Sequence, residues 1–194
     1  MGSAQGELAR RLRERGFRVT CLEGDADLAA RAADACDEVV CADLDGPLPD
    51  LHGPFDVIVF ADVLEHLRDP LAAIRRILPA LQREGTVWIS VPNVAHLHVR
   101  LGLLFGRFEY ADRGILDRTH LRFFTKRSLR RFVADAGLSV EATTATPVPL
   151  PLVVPPRFHG FVLRAVHAAS AVLSRAWKGP FAYQFVLRCR TRPT

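Results

Sequence analysis

Two hydrophobic periods succeed one another along this chain, and the changes between them mark out its elements. Residues 57–60 (Val-Ile-Val-Phe) are a continuous apolar run, with Gly53-Pro54 before it and Asp69-Pro70 after it. A short apolar run closed off by turn residues predicts a buried strand of a parallel sheet. Upstream, residues 17–23 and 38–44 read as two more strands, each ending on an acid, Glu23 and Asp43. Leu8 and Leu12 share one side of a helix closing at Gly16, and Asp25 or Asp27 can cap a short alanine-rich helix. Downstream, Asp69 as N-cap with Pro70 at the first helical position opens another helix. Its Leu71, Ile74, Ile77, Leu78 and Leu81 keep helical period until Gly85, and residues 86–91 form the next strand, stopped by Pro92. Strand and helix alternating at this spacing predict a parallel α/β sheet.

The second half is less regular. Residues 96–108 read as a helix and 114–125 as a polar-aromatic loop. Thr125 can cap a helix carrying Leu129, Phe132 and Val133, which Gly137 closes, and residues 138–146 read as a strand. Pro147, Pro149, Pro151, Pro155 and Pro156 then preclude regular structure. Phe158, Phe161, Val162, Ala165, Ala169, Val172, Leu173, Ala176 and Trp177 recur at helical spacing, with Arg164, His167, Arg175 and Lys178 off that stripe. Residues 181–189 are the expected final strand.

Composition sharpens the picture in two places. The chain has 194 residues, 49% of them hydrophobic, which is one domain's worth of core. Its net charge of +5 is unevenly spread. Beyond Glu141 there is no acid, while Arg157, Arg164, Arg175, Lys178, Arg188, Arg190 and Arg192 are all basic. That asymmetry suggests an anionic partner surface, although 24 of the 26 basic residues being arginine also fits a plain codon preference. A helix over residues 157–178 with basic flanks suits peripheral contact with a membrane surface, or packing over the sheet; its charges exclude a membrane span. Nucleic acid is not expected, because the tail lacks aromatics interleaved with its arginines. Cys21, Cys36, Cys41 and Cys189 have no metal-ligand spacing and read as reduced thiols, so no metal is expected. The start is polar and basic, with no apolar leader, which makes a cytoplasmic protein the expectation.

The candidate chemistry lies at the strand ends. Glu23, Asp43 and Asp62 each follow a strand, on the edge where open α/β sheets bind ligands. A glycine pair, Gly2 and Gly6, precedes the first helix. Taken singly, each has a plain structural reading: Asp62 and Glu65 as caps of the next helix, Glu23 as a solvated turn residue, Asp43 as a cap. Together they fall on one rim.

Here the chain resembles the class I S-adenosylmethionine-dependent methyltransferases, in particular their small ubiquinone- and methionine-biosynthesis-type branch. The matching segments are GSAQG (2–6), RVTCLEGD (18–25), ADL (42–44), FDVIVFADVLEHLRDPLAAIRRI (55–77), GTVWISVPNVAH (85–96) and residues 106–138. The resemblance implies a Rossmann-like sheet, mostly parallel with an antiparallel last strand, and helices on both faces. It implies one domain over 1–194: a cofactor-binding half (1–95), a substrate-side loop, helix and strand (96–146), and the proline-rich segment, basic helix and final strand (147–194). On this resemblance Gly2, Ser3 and Gly6 let backbone approach the methionine part of S-adenosylmethionine. Glu23 with Gly24 would bind the ribose hydroxyls, Asp43 and Leu44 the adenine, and Ala61, Asp62 and Val63 would line the methionyl and sulfonium end. The methyl acceptor would be a small or lipid- or sugar-linked molecule, reached from residues 96–125. His66, and His120 with Asp117, are the candidate bases, with packing and loop shaping as their alternative readings. The family pattern begins with a strand ahead of the glycine loop, and only Met1 precedes Gly2 here. A sheet lacking its first strand is therefore expected, and a catalytically silent binding domain is the alternative function. A nicotinamide-dependent oxidoreductase is disfavoured, because the G-x-G-x-x-G spacing is absent.

Overall fold

The computed structural model describes residues 6–150 and 154–192. The apolar run read above is the edge strand of its larger sheet, so Val57 is 42% exposed although a buried strand is expected there. Strand β3 (Phe55–Ala61) pairs in parallel with β4 (Leu81–Pro92), aligning Val57 with Thr86 and Ala61 with Ser90. Strand β6 (Gln184–Thr191) runs antiparallel to β4, and β5 (Leu138–Thr146) antiparallel to β6, in the order β3-β4-β6-β5. Strands β1 (Thr20–Glu23) and β2 (Glu38–Cys41) form a separate parallel pair. Alternation puts Phe60, Val87, Ile89, Val91, Phe185 and Leu187 into one core with Leu64, Ile74, Ile77, Leu129, Val133 and Leu138, all 1% exposed or less. Burying each such side chain contributes about 1.5–3 kcal/mol, so this cluster dominates the stability.

The helices follow their capping signals. Helix α2 (Ala26–Ala32) starts at Asp25, whose carboxylate accepts from the amides of Asp27 and Leu28. Helix α3 (Pro70–Ile77) starts at Asp69, which accepts from the Ala72 amide, with Pro70 at the first position. In α5 (Lys126–Asp135), Thr125 and Ser128 cap each other's backbone amides, and Gly137 follows with φ 81°. Helix α4 spans Leu97–Leu104 and stops short of residue 108.

Four expectations are corrected. Helix α1 (Glu7–Arg13) buries Ala9 and leaves Leu8 exposed, because Gly6 brings it against the small residues of α2 and the turn beyond. A Cβ on Gly6 would lie 2.5 Å from that of Ala35. The helix after Pro70 stops at Ile77 because Pro79 cannot donate the next hydrogen bond; a single tight turn (Leu78–Ala80) follows. Leu81 already belongs to β4, and Gly85 lies inside that strand, where a Cβ would come within 2.6 Å of the Leu81 side chain. Near the end, a four-residue helix α7 (Lys178–Phe181) replaces the start of the expected last strand.

Helix α6 (Phe161–Ala176) turns its expected inner stripe outward. Phe161 is 78% exposed, Val162 73% and Trp177 65%. The less exposed face, toward β5, carries Leu163, His167, Ala171 and the buried Ser174, and the small Ala171 and Ser174 permit close approach. Lys178 Nζ fastens the end of this helix to the Thr143 carbonyl at 2.7 Å. Among the described residues no helix is long and apolar enough to cross a membrane.

Candidate active site

The carboxyl ends of β1, β2 and β3 present Glu23, Asp43 and Asp62, as the strand pattern implies. Glu23 is 9% exposed, and its Oε1 accepts from the amides of Gly24 (3.0 Å) and Asp25 (3.4 Å). The Ala42 amide donates to the Glu23 carbonyl at 2.9 Å, so the ends of β1 and β2 meet. A Cβ on Gly24 would stand 3.8 Å from Asp43 Cα. Asp43 turns the chain by accepting from the Asp45 amide, and Leu44 beside it is buried. Two groups missed by the sequence reading steady this turn. Arg76 donates to the carbonyls of Leu44 (2.7 Å) and Gly46 (2.5 Å). The Asp45 carboxylate accepts from the amides of Arg68 and Asp69. Burial opposes ionisation of Asp45, but these amides hold its carboxyl below the usual range.

Asp62 leaves β3 with φ 50°, a left-handed conformation rare outside glycine and concentrated at functional sites. Its amide donates to both the carbonyl and the hydroxyl of Ser90, each at 3.1 Å, and Oδ1 accepts from the Gln184 side chain. Neither Gln184 nor its neighbour Tyr183 was singled out by sequence. Antiparallel β6 starts at this edge, however, so its first residues arrive beside Asp62. Burial, and then the charge of Asp62, push the Tyr183 hydroxyl above its ordinary pKa.

The chain after Asp62 folds back under the loop of residues 114–125. The Glu65 carbonyl accepts from the amides of Leu121 (2.8 Å) and Arg122 (3.0 Å), which fixes that loop to the strand end. The two histidines read as candidate bases thereby meet, with ring centroids 4.8 Å apart and planes at 71°. His66 Nδ1 lies 3.3 Å from the Thr119 carbonyl and 3.1 Å from its hydroxyl. That hydroxyl donates to Asp117 at 2.6 Å. His120 is buried, with Nδ1 3.1 Å from the Ile115 carbonyl. Burial, and then the charge of His66, hold His120 below the ordinary imidazole pKa, so it is neutral at pH 7 and able to accept a proton. The Thr119 hydrogen bonds keep Asp117 low and charged.

Glu65 completes the group. It is 1% exposed, and burial, with the charge of Asp62, lifts its carboxyl to about 8. The ligand atoms of Glu65, His66 and His120 lie within 4.8 Å of one another. The loop contact brings together residues 54 positions apart in sequence, a grouping that no local spacing announces. Of the expected cofactor residues, Ala61 and Val63 flank Asp62, while Gly6 packs on Ala35. Gly2 and Ser3 lie outside the described residues.

Comparison with known proteins bears on the family and the fold. A family model described as a methyltransferase domain matches residues 1–143. A ubiquinone biosynthesis O-methyltransferase of Pseudomonas paraeruginosa is 28% identical over 152 residues, which is 73% of this chain and 63% of that protein. A SAM-dependent methyltransferase structure from Thermotoga maritima superposes with a TM-score of 0.67 at 14% identity, covering 99% of this chain and 80% of that one. Magnesium protoporphyrin IX methyltransferase of Synechocystis PCC 6803, solved with SAH bound, gives 0.62 at 16% identity over 99% and 72%. The residues present fit S-adenosylmethionine as cofactor, since the Glu23 and Asp43 carboxylates stand at adjoining strand ends as acceptors for hydroxyl and amine donors. Matched by that family model over most of its length, this chain belongs to the methyltransferase domain family.

Proposed function

We propose that the chain is an S-adenosylmethionine-dependent methyltransferase whose acceptor is a small or lipid- or sugar-linked molecule presenting an oxygen atom. The cofactor brings a methyl group already activated on a sulfonium, so the protein chiefly aligns the acceptor and excludes water. Glu23 and Gly24 would hold the ribose, Asp43 and Leu44 the adenine. Ala61, Asp62 and Val63 would hold the methionyl end, together with the backbone of the segment bearing Gly2, Ser3 and Gly6. The observation that carries the reading is the junction of the Asp62 edge with the half-buried His66 and the buried His120. It sets a neutral imidazole beside the residues assigned to the sulfonium end, where an acceptor hydroxyl needs its proton removed. The O-methyltransferase relative favours oxygen over nitrogen as the acceptor atom.

Calorimetric titration with S-adenosylmethionine and S-adenosylhomocysteine tests this directly. Binding is expected for the chain and should fall at least tenfold in Glu23→Ala and Asp43→Ala. Labelled methyl transfer to a panel of phenolic and lipid-linked hydroxyls then identifies the acceptor. Silence in both assays favours the catalytically inert binding domain instead.

The outward face of α6 supports a second reading, contact with an anionic lipid surface. Phe161, Val162 and Trp177 are exposed, as are Arg164 and Arg175, in a tail without acids. Co-sedimentation with phosphatidylglycerol vesicles at low salt, weakened by Phe161→Ser with Trp177→Ser, is the expected result. No binding to these vesicles overturns it.

A further inference from the structure

Glu65 is the anomaly of the core. It is 1% exposed, yet neither carboxylate oxygen has a hydrogen-bond partner among the described residues. Buried polar groups are almost always satisfied, and an unpaired carboxylate is the costliest exception. It needs either a proton or a cation.

Its neighbours point to a cation. The Nδ1 atoms of His66 and His120 each face a carbonyl oxygen, of Thr119 and of Ile115 respectively. A carbonyl can only accept, so each Nδ1 carries the hydrogen and each Nε2 keeps its lone pair. The Thr119 hydroxyl, committed as donor to Asp117, faces His66 as a second acceptor and reinforces that tautomer. Histidines that ligate metals are held in this way, one ring nitrogen donating outward and the other free to bind. One carboxylate and two imidazoles, with ligand atoms within 4.8 Å of each other, make a donor set for borderline divalent ions.

We propose that Glu65, His66 and His120 bind one divalent cation of the Zn²⁺, Fe²⁺ or Co²⁺ class at the carboxyl edge of β3. Three protein ligands leave coordination positions open, as in catalytic rather than structural sites. The inference deepens the methyl-transfer reading and rests on it for the acceptor alone. A hydroxyl of the acceptor occupying an open position would release its proton to solvent. The oxygen would keep the electron pair that forms the new O–C bond, as the C–S bond breaks and its pair stays on sulfur. In that case the two histidines act as ligands and not as bases.

The test uses the whole chain, stripped with a chelator and titrated with Co²⁺ and Zn²⁺. The expected result is one equivalent of Co²⁺ giving d–d absorption of nitrogen and oxygen ligation without a thiolate band, displaced by Zn²⁺. Glu65→Gln and His120→Gln should each weaken binding by more than about tenfold, while His52→Gln and Cys41→Ser leave it intact. Thermal melting with and without Zn²⁺ reads the same site through folding, with a rise for the parent, His52→Gln and Cys41→Ser only. If the ligand variants fail to fold, the parent's Co²⁺ spectrum decides, because a thiolate band or no d–d band overturns the proposal. Unchanged binding in folded Glu65→Gln and His120→Gln also overturns it. Calorimetry with S-adenosylmethionine separates the two readings: cobalt binding without cofactor binding removes the methyl-transfer reading and leaves the cation site standing.

Discussion

Replacing Asn93 should damage this protein more than its size suggests. Asn93 follows β4 and is fully buried. Its amide nitrogen donates to the carbonyls of Gly179 (2.9 Å) and Ala182 (2.8 Å), and its Oδ1 accepts from the Ala95 amide (3.0 Å). Its backbone amide donates to the Tyr183 carbonyl at 2.9 Å. One side chain thus ties the end of β4 to the segment that brings Tyr183 and Gln184 beside Asp62. Asn93→Leu keeps the volume but removes three hydrogen bonds and strands their partners. Each net bond is worth about 1 kcal/mol, and a stranded buried partner costs more, so a loss of about 3–5 kcal/mol is expected. Asn93→Asp is the sharper probe, because it points a carboxylate at two carbonyl oxygens. Repulsion and burial raise its folded-state pKa, so its protonated form favours the folded state. Stability of this variant should therefore fall as pH rises above about 4, the unfolded value, until the folded pKa is passed. Urea unfolding at pH 4.5 and pH 7.5 measures both effects. The Asp variant should recover toward the parent in acid, and the Leu variant should show no such recovery. A loss below about 1 kcal/mol in Asn93→Leu, or an Asp variant as stable as the parent at pH 7.5, refutes the reasoning.

Three further outcomes follow from the same structure. In metal-free protein, the Glu65 carboxyl, raised from 4.5 to about 8, favours the folded state only while protonated. Its share of the stability is thus lost as pH rises from 4.5 to 8, about 2 kcal/mol of it between pH 6.5 and 8. The lowered histidines, His96 and His120, act below 6.5 and the raised thiols above 9.0, so denaturant titrations in that window should show a slope that Glu65→Gln abolishes. Arg76→Met frees the carbonyls of Leu44 and Gly46 and should weaken S-adenosylmethionine binding in calorimetry by about tenfold with little change in fold. Burial pushes the thiols of Cys36 and Cys189 up to about 12, whereas Cys41 is exposed, so a disulfide reagent at pH 8 should label Cys41 rapidly and those two only on unfolding.

Local signals in the sequence held up where one physical cause acts alone. Asp25, Asp69 and Thr125 are caps because short polar side chains satisfy helix amides in any context. Strand β5 matches its expected bounds, and the apolar run 57–60 lies inside β3, which begins two residues earlier and ends one later. The acids at the carboxyl edge were legible because parallel strands deliver their ends to one rim. Other features depend on partners far along the chain. The apolar stripe of α6 was plain, but which face meets β5 is decided by the small Ala171 and Ser174, which periodicity does not rank. Gly85 reads as a helix terminator because the apolar period runs on to Leu81, whereas Pro79 ends the helix earlier. Glu65 stood in the motif as a polar residue at a strand end; only its burial, with both oxygens unpartnered, marks it as chemically unusual.

The division of the strands has a consequence for how the fold opens. Among the described residues no ladder joins β1–β2 to the four-stranded sheet. The small cluster of Ala9, Cys21, Ala32, Ala35 and Cys36 beneath that pair is built from short side chains, and Leu22 links it to the larger core. Less apolar area per residue means a lower free energy of local opening, so the amides of residues 20–41 should exchange with solvent sooner than those of β4 and β6. Glu23 belongs to this weaker unit and Asp43 lies just beyond it, whereas Asp62 belongs to the stronger one. A ligand spanning the three acids can bind only while the weaker unit is closed, and by mass action it slows that unit's exchange. The molecule's affinity for its cofactor would then also measure how firmly this unit stays folded.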